Sequence, residues 1–219
     1  MFDHKDFHKT PIIGILRKIN SSALPYILDT YVNAGLTTIE ITMNSPEATD
    51  QIRYAVKHFG DQLYIGAGTV RNKDELKSAL QAGAGYIVTP NSNETVINYC
   101  KELQIPIFPG ALTPTEIYRA YSLGANMVKV FPASAMGPGY FKSILSPLDN
   151  IPLIATGGIT KENMTEYLKA GATGLGIGST LFDKEMILRK NWTGLQNHMH
   201  DFVVNVNVLK KQTNPEIKE

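Results

Sequence analysis

Three charged residues fall inside stretches whose pattern predicts buried β-strands, and they are the first candidates for chemistry. The chain has 21 Lys and Arg and 20 Asp and Glu residues, yet only Arg17, Glu40 and Lys129 occupy such stretches. An unpaired charge on a buried strand costs on the order of several kcal/mol. Beside the apolar Met127 and Phe131, a lysine loses its proton more easily and becomes a nucleophilic amine. The chemistry this favours is Schiff-base formation with a carbonyl substrate.

Strand alternation predicts which way two of these charges point. Glu40 lies between Ile39 and Ile41, and Lys129 lies between two valines. Alternate residues of a strand face opposite sides, and the aliphatic residues suit contact with an outer layer of helices. Glu40 and Lys129 are therefore expected to face inward. The alternative interpretation is a buried ion pair that only fills the interior.

A sequence pattern repeated along the chain predicts the secondary-structure elements that must position these residues. Each copy is a helix-like stretch that ends at a glycine and continues into a β-rich run, and the copies occupy residues 33–41, 81–88, 122–130 and 169–177. The glycines suit a left-handed residue at a helix end; they are Gly35, Gly83, Gly124 and Gly171. Four further β-rich runs lie at residues 11–17, 63–69, 105–110 and 151–157. The chain thus contains eight strand-like runs.

Eight strand–helix units predict a (β/α)8 TIM barrel, an α/β fold, that forms a single domain over residues 1–219. The alternative is an open doubly wound sheet, which would show edge strands. In a barrel the second and sixth strands lie opposite each other, so Glu40 and Lys129 are expected to meet at a ligand on the axis. Residues 192–210 are expected to form a C-terminal helix, and residues 212–219 a frayed tail.

Helix starts are predicted after several of the strands. Ser45, Asn72, Asn93 and Thr160 are candidate N-caps. Thr113 is followed by Pro and, three residues on, by Glu, which predicts a capping box.

Glycine pairs after the last two strands predict a phosphate site. Gly157 and Gly158 follow the seventh strand, and Gly176 and Gly178, followed by Ser179, end the eighth. The loops after these two strands commonly bind phosphate in this fold, because glycine lets backbone N–H groups approach an anion closely. Taken singly, each pair is more often an ordinary turn.

Two residues are candidates for binding a carboxylate. Arg17 ends the first strand, and its planar guanidinium suits a carboxylate, although a salt bridge at the rim is the alternative. Thr69 ends the third strand and places a hydroxyl at the barrel mouth. None of the five histidines and no aspartate lies at a strand end, so we expect no metal site and no cofactor.

Composition excludes several classes of protein. Apolar residues make up 43% of the chain, charged residues 19%, and the net charge is +1. These values predict a globular protein whose main partner is neither nucleic acid nor an anionic membrane. The lone Cys100 excludes an internal disulfide framework, and no run of about 18 apolar residues lacks a charge. The first residues lack an apolar signal core, so we expect a cytoplasmic protein.

Several motifs, in order over about residues 10–185, resemble one enzyme family. They are Glu40-Ile-Thr, Gly66-Ala-Gly-Thr-Val70, Pro109-Gly110, Thr113-Pro-Thr-Glu116, Lys129-Val-Phe-Pro132, Thr156-Gly-Gly-Ile159 and Gly178-Ser179. They resemble the class I 2-keto-3-deoxy-6-phosphogluconate (KDPG) aldolases, with the related 6-phosphogalactonate (KDPGal) and 4-hydroxy-2-oxoglutarate (KHG) enzymes. The resemblance implies a homotrimeric barrel that needs no metal and cleaves a phosphorylated 2-keto-3-deoxy acid into pyruvate and glyceraldehyde 3-phosphate.

The resemblance also implies roles for individual residues. Lys129 corresponds to the Schiff-base lysine and Glu40 to the general acid/base. Thr69 would hold the pyruvate carboxylate. The phosphate would be bound by Gly157, Gly158, Gly178 and Ser179. Pro90 and Phe131 would form walls of the pocket. Some members carry an arginine carboxylate clamp where this chain has Asn44, which is expected to be a further pocket residue, and Arg17 is expected to take over the role of the clamp.

The motifs point to two substrates. Residues 44–46 and 134–138 resemble the galactonate enzymes, whereas Thr156 resembles the gluconate enzymes and would lie near the C4 hydroxyl. The expected substrate is the gluconate, with 4-hydroxy-2-oxoglutarate as an additional substrate and the galactonate as the alternative. Remoter alternatives are a metal-free sugar-phosphate isomerase, epimerase or ester synthase on the same barrel, and a sugar-phosphate sensor without catalysis.

Overall fold

The computed structural model describes residues 4–213 as one ring of strands surrounded by helices. The strands are β1 (Ile12–Leu16), β2 (Thr38–Thr42), β3 (Tyr64–Gly68), β4 (Ile87–Val88), β5 (Ile107–Phe108), β6 (Gly110–Ala111), β7 (Val128–Val130), β8 (Leu153–Thr156) and β9 (Gly174–Ile177). The helices are α1 (His4–Lys9), α2 (Leu24–Asn33), α3 (Ala48–Phe59), α4 (Lys73–Gln81), α5 (Glu94–Glu102), α6 (Pro114–Ser122), α7 (Ala133–Met136), α8 (Pro138–Leu145), α9 (Met164–Lys169), α10 (Lys184–Leu188) and α11 (Trp192–Thr213).

The strands form a nearly closed parallel barrel with eight positions. Their order is β5-β4-β3-β2-β1-β9-β8-β7-β6, with β5 paired to β4 and β6 paired to β7. The fifth position is divided at Pro109, which has no N–H to donate. Hydrogen bonds from Asn126 N to the Ile107 carbonyl (3.1 Å) and from Lys129 N to the Pro109 carbonyl (2.9 Å) join this position to the β7 side. The predicted (β/α)8 barrel is confirmed, and the open doubly wound sheet is excluded.

Most of the predicted helix ends are found. The four repeat glycines have φ values of +87°, +99°, +112° and +99°, a region that costs other residues energy. The side chains of Asn72 and Asn93 each accept two backbone N–H groups at the starts of α4 and α5. Thr113 and Glu116 form the predicted capping box at the start of α6.

Two predicted caps are wrong, Ser45 because of a long-range contact and Thr160 because of a local one. The Ser45 hydroxyl accepts a hydrogen bond from Lys18 N at 2.8 Å, and α3 starts after Glu47 instead. Thr160 precedes the start of α9 by one turn; its N–H donates to Asn163 Oδ1 at 2.8 Å.

Two apolar layers hold the barrel together. The larger one lies between the strands and the helices. The smaller one fills the barrel interior and consists of Phe7, Ile13, Tyr86, Val88, Phe108, Met127 and Ile154. Phe7 comes from α1 and occupies space left by Gly174, where an added Cβ would lie 2.7 Å from the phenyl ring. This packing fills the end of the barrel nearest the strand N-termini.

Tyr31 of α2 is expected to be a strong contributor to stability. Its hydroxyl accepts a hydrogen bond from Gly14 N (3.0 Å) and donates one to the Thr38 carbonyl (2.6 Å), which bridges β1 and β2. Tyr31→Phe leaves both buried groups without this partner and should cost about 3 kcal/mol of unfolding free energy. The measurement is urea unfolding, with Tyr26→Phe as the control, because Tyr26 is 57% exposed. Equal stability of the two variants would contradict the prediction.

The predicted C-terminal helix is present and is longer than expected. It spans Trp192–Thr213 and so includes the first two residues assigned to a frayed tail; residues 214–219 lie outside the described part of the chain. Across residues 4–213, no helix is long and apolar enough to cross a membrane.

Candidate active site

One large cavity of about 870 Å³ opens at the carboxyl ends of the barrel strands. This is the end at which barrel enzymes carry their active sites. Ten of the predicted site residues line it: Arg17, Thr69, Pro90, Lys129, Phe131, Thr156, Gly157, Gly158, Gly178 and Ser179. Residues predicted from six separate parts of the sequence thus meet in one place.

Lys129 and Glu40 face each other inside the barrel, as strand alternation predicts. Lys129 on β7 is 5% exposed and Glu40 on β2 is 1% exposed. Both line a second cavity of about 10 Å³ beneath the large one, close to the minimum volume that holds one water molecule. Thr156 and Lys129 line both cavities, so the lower cavity extends the upper one into the barrel.

Unsatisfied polar atoms mark the cavity floor. Within residues 4–213, Glu40 Oε1 and Thr156 Oγ1 are buried and have no hydrogen-bond partner. Such groups are costly unless a ligand or water pairs with them. Gly68 and Gly176 make room for the two side chains, because a Cβ at either position would overlap Glu40 Oε1 or Thr156 Oγ1. The barrel therefore presents a carboxyl group and a hydroxyl to whatever enters.

Burial shifts the pKa values of Lys129 and Glu40 in opposite directions. Burial lowers the pKa of Lys129, and the positive charge of Arg17 lowers it further, while Glu40 opposes the change. Burial raises the pKa of Glu40 against the opposing effect of Lys129 and Arg17. Both shifts favour the uncharged forms, a neutral amine and a carboxylic acid. A neutral amine can attack a carbonyl, and a carboxylic acid can donate a proton.

The pH dependence of imine formation should report the lowered pKa of Lys129. Only the unprotonated amine attacks a ketone, so the initial rate of borohydride-trappable adduct with pyruvate should rise with pH, with a midpoint below the ordinary 10.5. Arg17→Gln removes a neighbouring positive charge and should move the midpoint to higher pH. Arg53→Gln, in an exposed ion pair on α3, is the control. A wild-type midpoint at or above 10.5 would contradict this prediction.

Arg17 and Thr69 lie together at the barrel mouth. Arg17 directly follows β1 rather than ending it, and its Nη2 donates to Thr69 Oγ1 at 3.2 Å. Lys18 and Thr69 have φ values of +52° and +54°, which are uncommon for residues other than glycine and often occur at functional sites. The Ser45 hydroxyl holds Lys18 N in this turn. A guanidinium and a hydroxyl side by side suit the carboxylate of a small acid.

The predicted phosphate loops also lie at the mouth. Gly157 and Gly158 have φ values of +93° and +72°. A Cβ at Gly157 would lie 3.1 Å from the Phe131 ring, and one at Gly158 would overlap Ser134. The ring of Phe131 lies over the lysine, with its centroid 5.2 Å from Lys129 Nζ. The glycine loop and the pocket wall therefore pack directly against each other.

One predicted residue does not join the others, and two residues were missed. Asn44 follows β2 but lines neither cavity, and its buried Oδ1 has no partner within residues 4–213. Asn163 and Thr180 bind the carbonyls of the glycine loop but were not predicted. Thr180 directly follows Ser179, and this adjacency is its only sequence signal. Within the described residues, no three His, Cys, Asp or Glu side chains are grouped as a metal site requires.

Comparison with known proteins agrees with this geometry. The family model described as KDPG and KHG aldolase matches residues 4–197. A 2-dehydro-3-deoxy-6-phosphogalactonate aldolase of Escherichia coli K12 is 37% identical over 80% of this chain and 85% of the relative. A 2-dehydro-3-deoxy-phosphogluconate aldolase of Haemophilus influenzae is 34% identical over 83% of this chain and 85% of the relative.

A solved structure extends the comparison to the chemistry. The KDPG aldolase of Legionella pneumophila, with pyruvate captured as a covalent carbinolamine intermediate, superposes with a TM-score of 0.85 at 25% identity, over 91% of this chain and 97% of that one. The barrel and its relatives define the class: this protein is an aldolase, a lyase of carbon–carbon bonds. More closely, the chain belongs to the KDPG and KHG aldolase family.

Proposed function

We propose that this chain is a class I aldolase that cleaves a 2-dehydro-3-deoxy-6-phospho-aldonate into pyruvate and glyceraldehyde 3-phosphate. The observation that carries the proposal is the buried Lys129, whose pKa is lowered, facing the buried Glu40. The covalent carbinolamine of the Legionella relative supports the same chemistry, since a carbinolamine forms when an amine adds to the pyruvate ketone.

The first half of the reaction joins substrate to enzyme. The neutral Lys129 amine attacks the C2 ketone and forms a carbinolamine. Glu40, directly or through a water in the lower cavity, supplies the proton that lets the C2 oxygen leave as water. The product is an iminium ion, whose positive nitrogen accepts electrons from the C3–C4 bond.

The second half breaks the carbon–carbon bond. Glu40, now a carboxylate, takes the proton of the C4 hydroxyl, the C3–C4 bond breaks, and glyceraldehyde 3-phosphate leaves. The bonding electrons move to the lysine-bound fragment as an enamine. Protonation at C3 and addition of water at C2 release pyruvate and restore the free amine.

The two ends of the cavity suit the two charged ends of the substrate. Arg17 and Thr69 are proposed to hold the C1 carboxylate beside Lys129. Gly157, Gly158 and Ser179, with Gly178, are proposed to bind the phosphate through backbone N–H groups. Pro90 and Phe131 would form the walls between them. A substrate held at both ends places C2 at Lys129 and the C4 hydroxyl towards Glu40.

Thr156 favours the gluconate epimer as substrate. Its buried hydroxyl has no partner within residues 4–213 and lies between the two cavities, where it can bind the C4 hydroxyl. The 6-phosphogalactonate is the second candidate, because the 37% identical relative from Escherichia coli is an aldolase for that epimer. A coupled assay that detects pyruvate, run with both epimers and with 4-hydroxy-2-oxoglutarate, tests these candidates. Absence of pyruvate from all three would refute the aldolase and favour an isomerase or a sensor.

Thr156→Val is expected to change the preference between the epimers. Valine has the same shape but cannot hydrogen-bond, so kcat/KM for the gluconate should fall about tenfold, which is the effect of roughly one hydrogen bond. The galactonate should be less affected. Thr160→Val, outside the lining of both cavities, is the control. An equal loss on both epimers would mean that the Thr156 hydroxyl does not distinguish them.

We also infer a homotrimer acting in the cytoplasm, as the family resemblance implies. Cys100 is buried and unpaired, which is consistent with a reducing compartment. Sedimentation equilibrium should give three times the mass of the chain, and a monomer would contradict the inference.

A further inference from the structure

Within residues 4–213, one hydrogen bond connects the two loops proposed to bind phosphate. The loops are residues 157–163, after β8, and residues 178–183, after β9. Thr180 Oγ1 donates to the Ile159 carbonyl at 2.6 Å. Thr180 lines the large cavity next to Ser179, and Ile159 lines it next to Gly158. The bond therefore lies beside the residues that would contact the phosphate.

The β8 loop has its carbonyls occupied by protein donors. The carbonyls of residues 157, 158 and 159 accept hydrogen bonds from the N–H of Ser134 (3.0 Å), Nδ2 of Asn163 (2.9 Å) and the hydroxyl of Thr180, respectively. In a trans peptide the N–H of the next residue points opposite to the carbonyl. The N–H groups of Gly158 and Ile159 are thus turned away from Ser134 and Asn163, and both residues line the cavity. The N–H that follows the Ile159 carbonyl belongs to Thr160 and donates to Asn163 Oδ1, so the Thr180 bond fixes the loop at the end of this segment.

Thr180 is also held from the outer side. His198 of α11 places its Nε2 2.7 Å from the Thr180 carbonyl. A carbonyl only accepts, so Nε2 carries the proton. The His198 ring packs edge-on against Phe202, with centroids 5.4 Å apart. The long C-terminal helix therefore fixes the backbone of Thr180, and the Thr180 hydroxyl in turn fixes the β8 loop.

We propose that Thr180 is a positioning residue that holds the two loops at the spacing needed for both to bind one phosphate group. This inference rests on the proposed function and deepens it. Thr180 makes no hydrogen bond to Lys129 or Glu40 within the described residues. It acts on phosphate binding through the loops and leaves the bond-breaking step unchanged.

Kinetics with two substrates test this role. Thr180→Val keeps the shape but removes the donor, and KM for the phosphorylated acid should rise about tenfold, with kcat changed by less than about twofold. Both constants for 4-hydroxy-2-oxoglutarate, which has no phosphate, should stay within about twofold. Thr180→Ser keeps the hydroxyl and should restore KM. Equal losses on both substrates would indicate a merely structural role and overturn the proposal.

Binding of inorganic phosphate tests the same role without catalysis. Titration should shift the amide NMR signals of Gly158 and Ser179, and Thr180→Val should weaken the fitted affinity about tenfold. His198→Leu should weaken it in the same direction, whereas His200→Leu should not, since His200 bonds the distant Ala34 carbonyl. Unchanged phosphate affinity in Thr180→Val would overturn the proposal. Failure of the proposed function would appear separately, as absence of a pyruvate adduct on Lys129 in the wild type.

Discussion

Borohydride reduction in the presence of pyruvate is expected to attach a three-carbon unit to Lys129 and to no other lysine. Among the charged side chains of the described residues, only Glu40 and Lys129 lie within barrel strands, and burial lowers the pKa of Lys129. A protonated surface lysine does not compete at neutral pH, because its lone pair carries a proton. Peptide mapping by mass spectrometry locates the adduct.

Lys129→Met should abolish both the adduct and turnover. Methionine has a similar length but no nucleophile, and we expect aldol cleavage to fall about 10⁴-fold or more. Lys77→Met, at an exposed position on α4, is the matched control and should keep both. An adduct on a different lysine, or substantial cleavage by Lys129→Met, would show that another group forms the covalent intermediate.

Glu40→Gln is expected still to form the pyruvate adduct, although more slowly because Glu40 supplies a proton for iminium formation, and to turn over about 10³-fold more slowly. Glutamine has nearly the same shape but cannot exchange a proton. A loss of about 10³-fold is the typical contribution of a general acid/base. The buried Oε1 without a partner, and the raised pKa of the carboxyl group, are the features that suit Glu40 to this role. Single-turnover trapping and steady-state cleavage separate the two steps.

The same variant should change the pH dependence of trapping. The negative charge of Glu40 raises the pKa of Lys129, so its removal leaves burial and Arg17 to lower that pKa further. The midpoint of adduct formation should therefore move to lower pH. Glu102→Gln, at an exposed position on α5, should change neither turnover nor midpoint. Normal turnover in Glu40→Gln would exclude Glu40 as the group that transfers protons.

Local patterns were enough to predict the barrel and its central pair. The need for a glycine at each helix end depends only on the backbone conformation at that residue, and all four glycines have positive φ. The alternation around Glu40 and Lys129 depends only on the two-residue period of a strand. Because such rules act over a few residues, they can be applied without knowing the rest of the fold.

The Ser45 prediction failed because a distant contact decided the outcome. Ser45 looks like a helix cap but binds Lys18 N from the neighbouring loop. Asn44 was expected in the pocket, yet it follows β2 without lining either cavity. The fifth barrel position is divided at Pro109 because its two halves pair with different neighbouring strands. The hydrogen bond between Thr180 and Ile159 likewise joins segments far apart in sequence. No local pattern contains these pairings.

The sequence by itself determined the number of strand–helix units, the side of the barrel that Glu40 and Lys129 face, and the loops rich in glycine. Only the tertiary structure decided how these parts meet: the carboxyl and the amine across the lumen, Arg17 on Thr69, and the two glycine loops joined through Thr180. The physical reason is range. Backbone conformation and strand alternation are set by adjacent residues, whereas a pKa shift or a hydrogen bond between strands depends on distances that exist only once the barrel has closed.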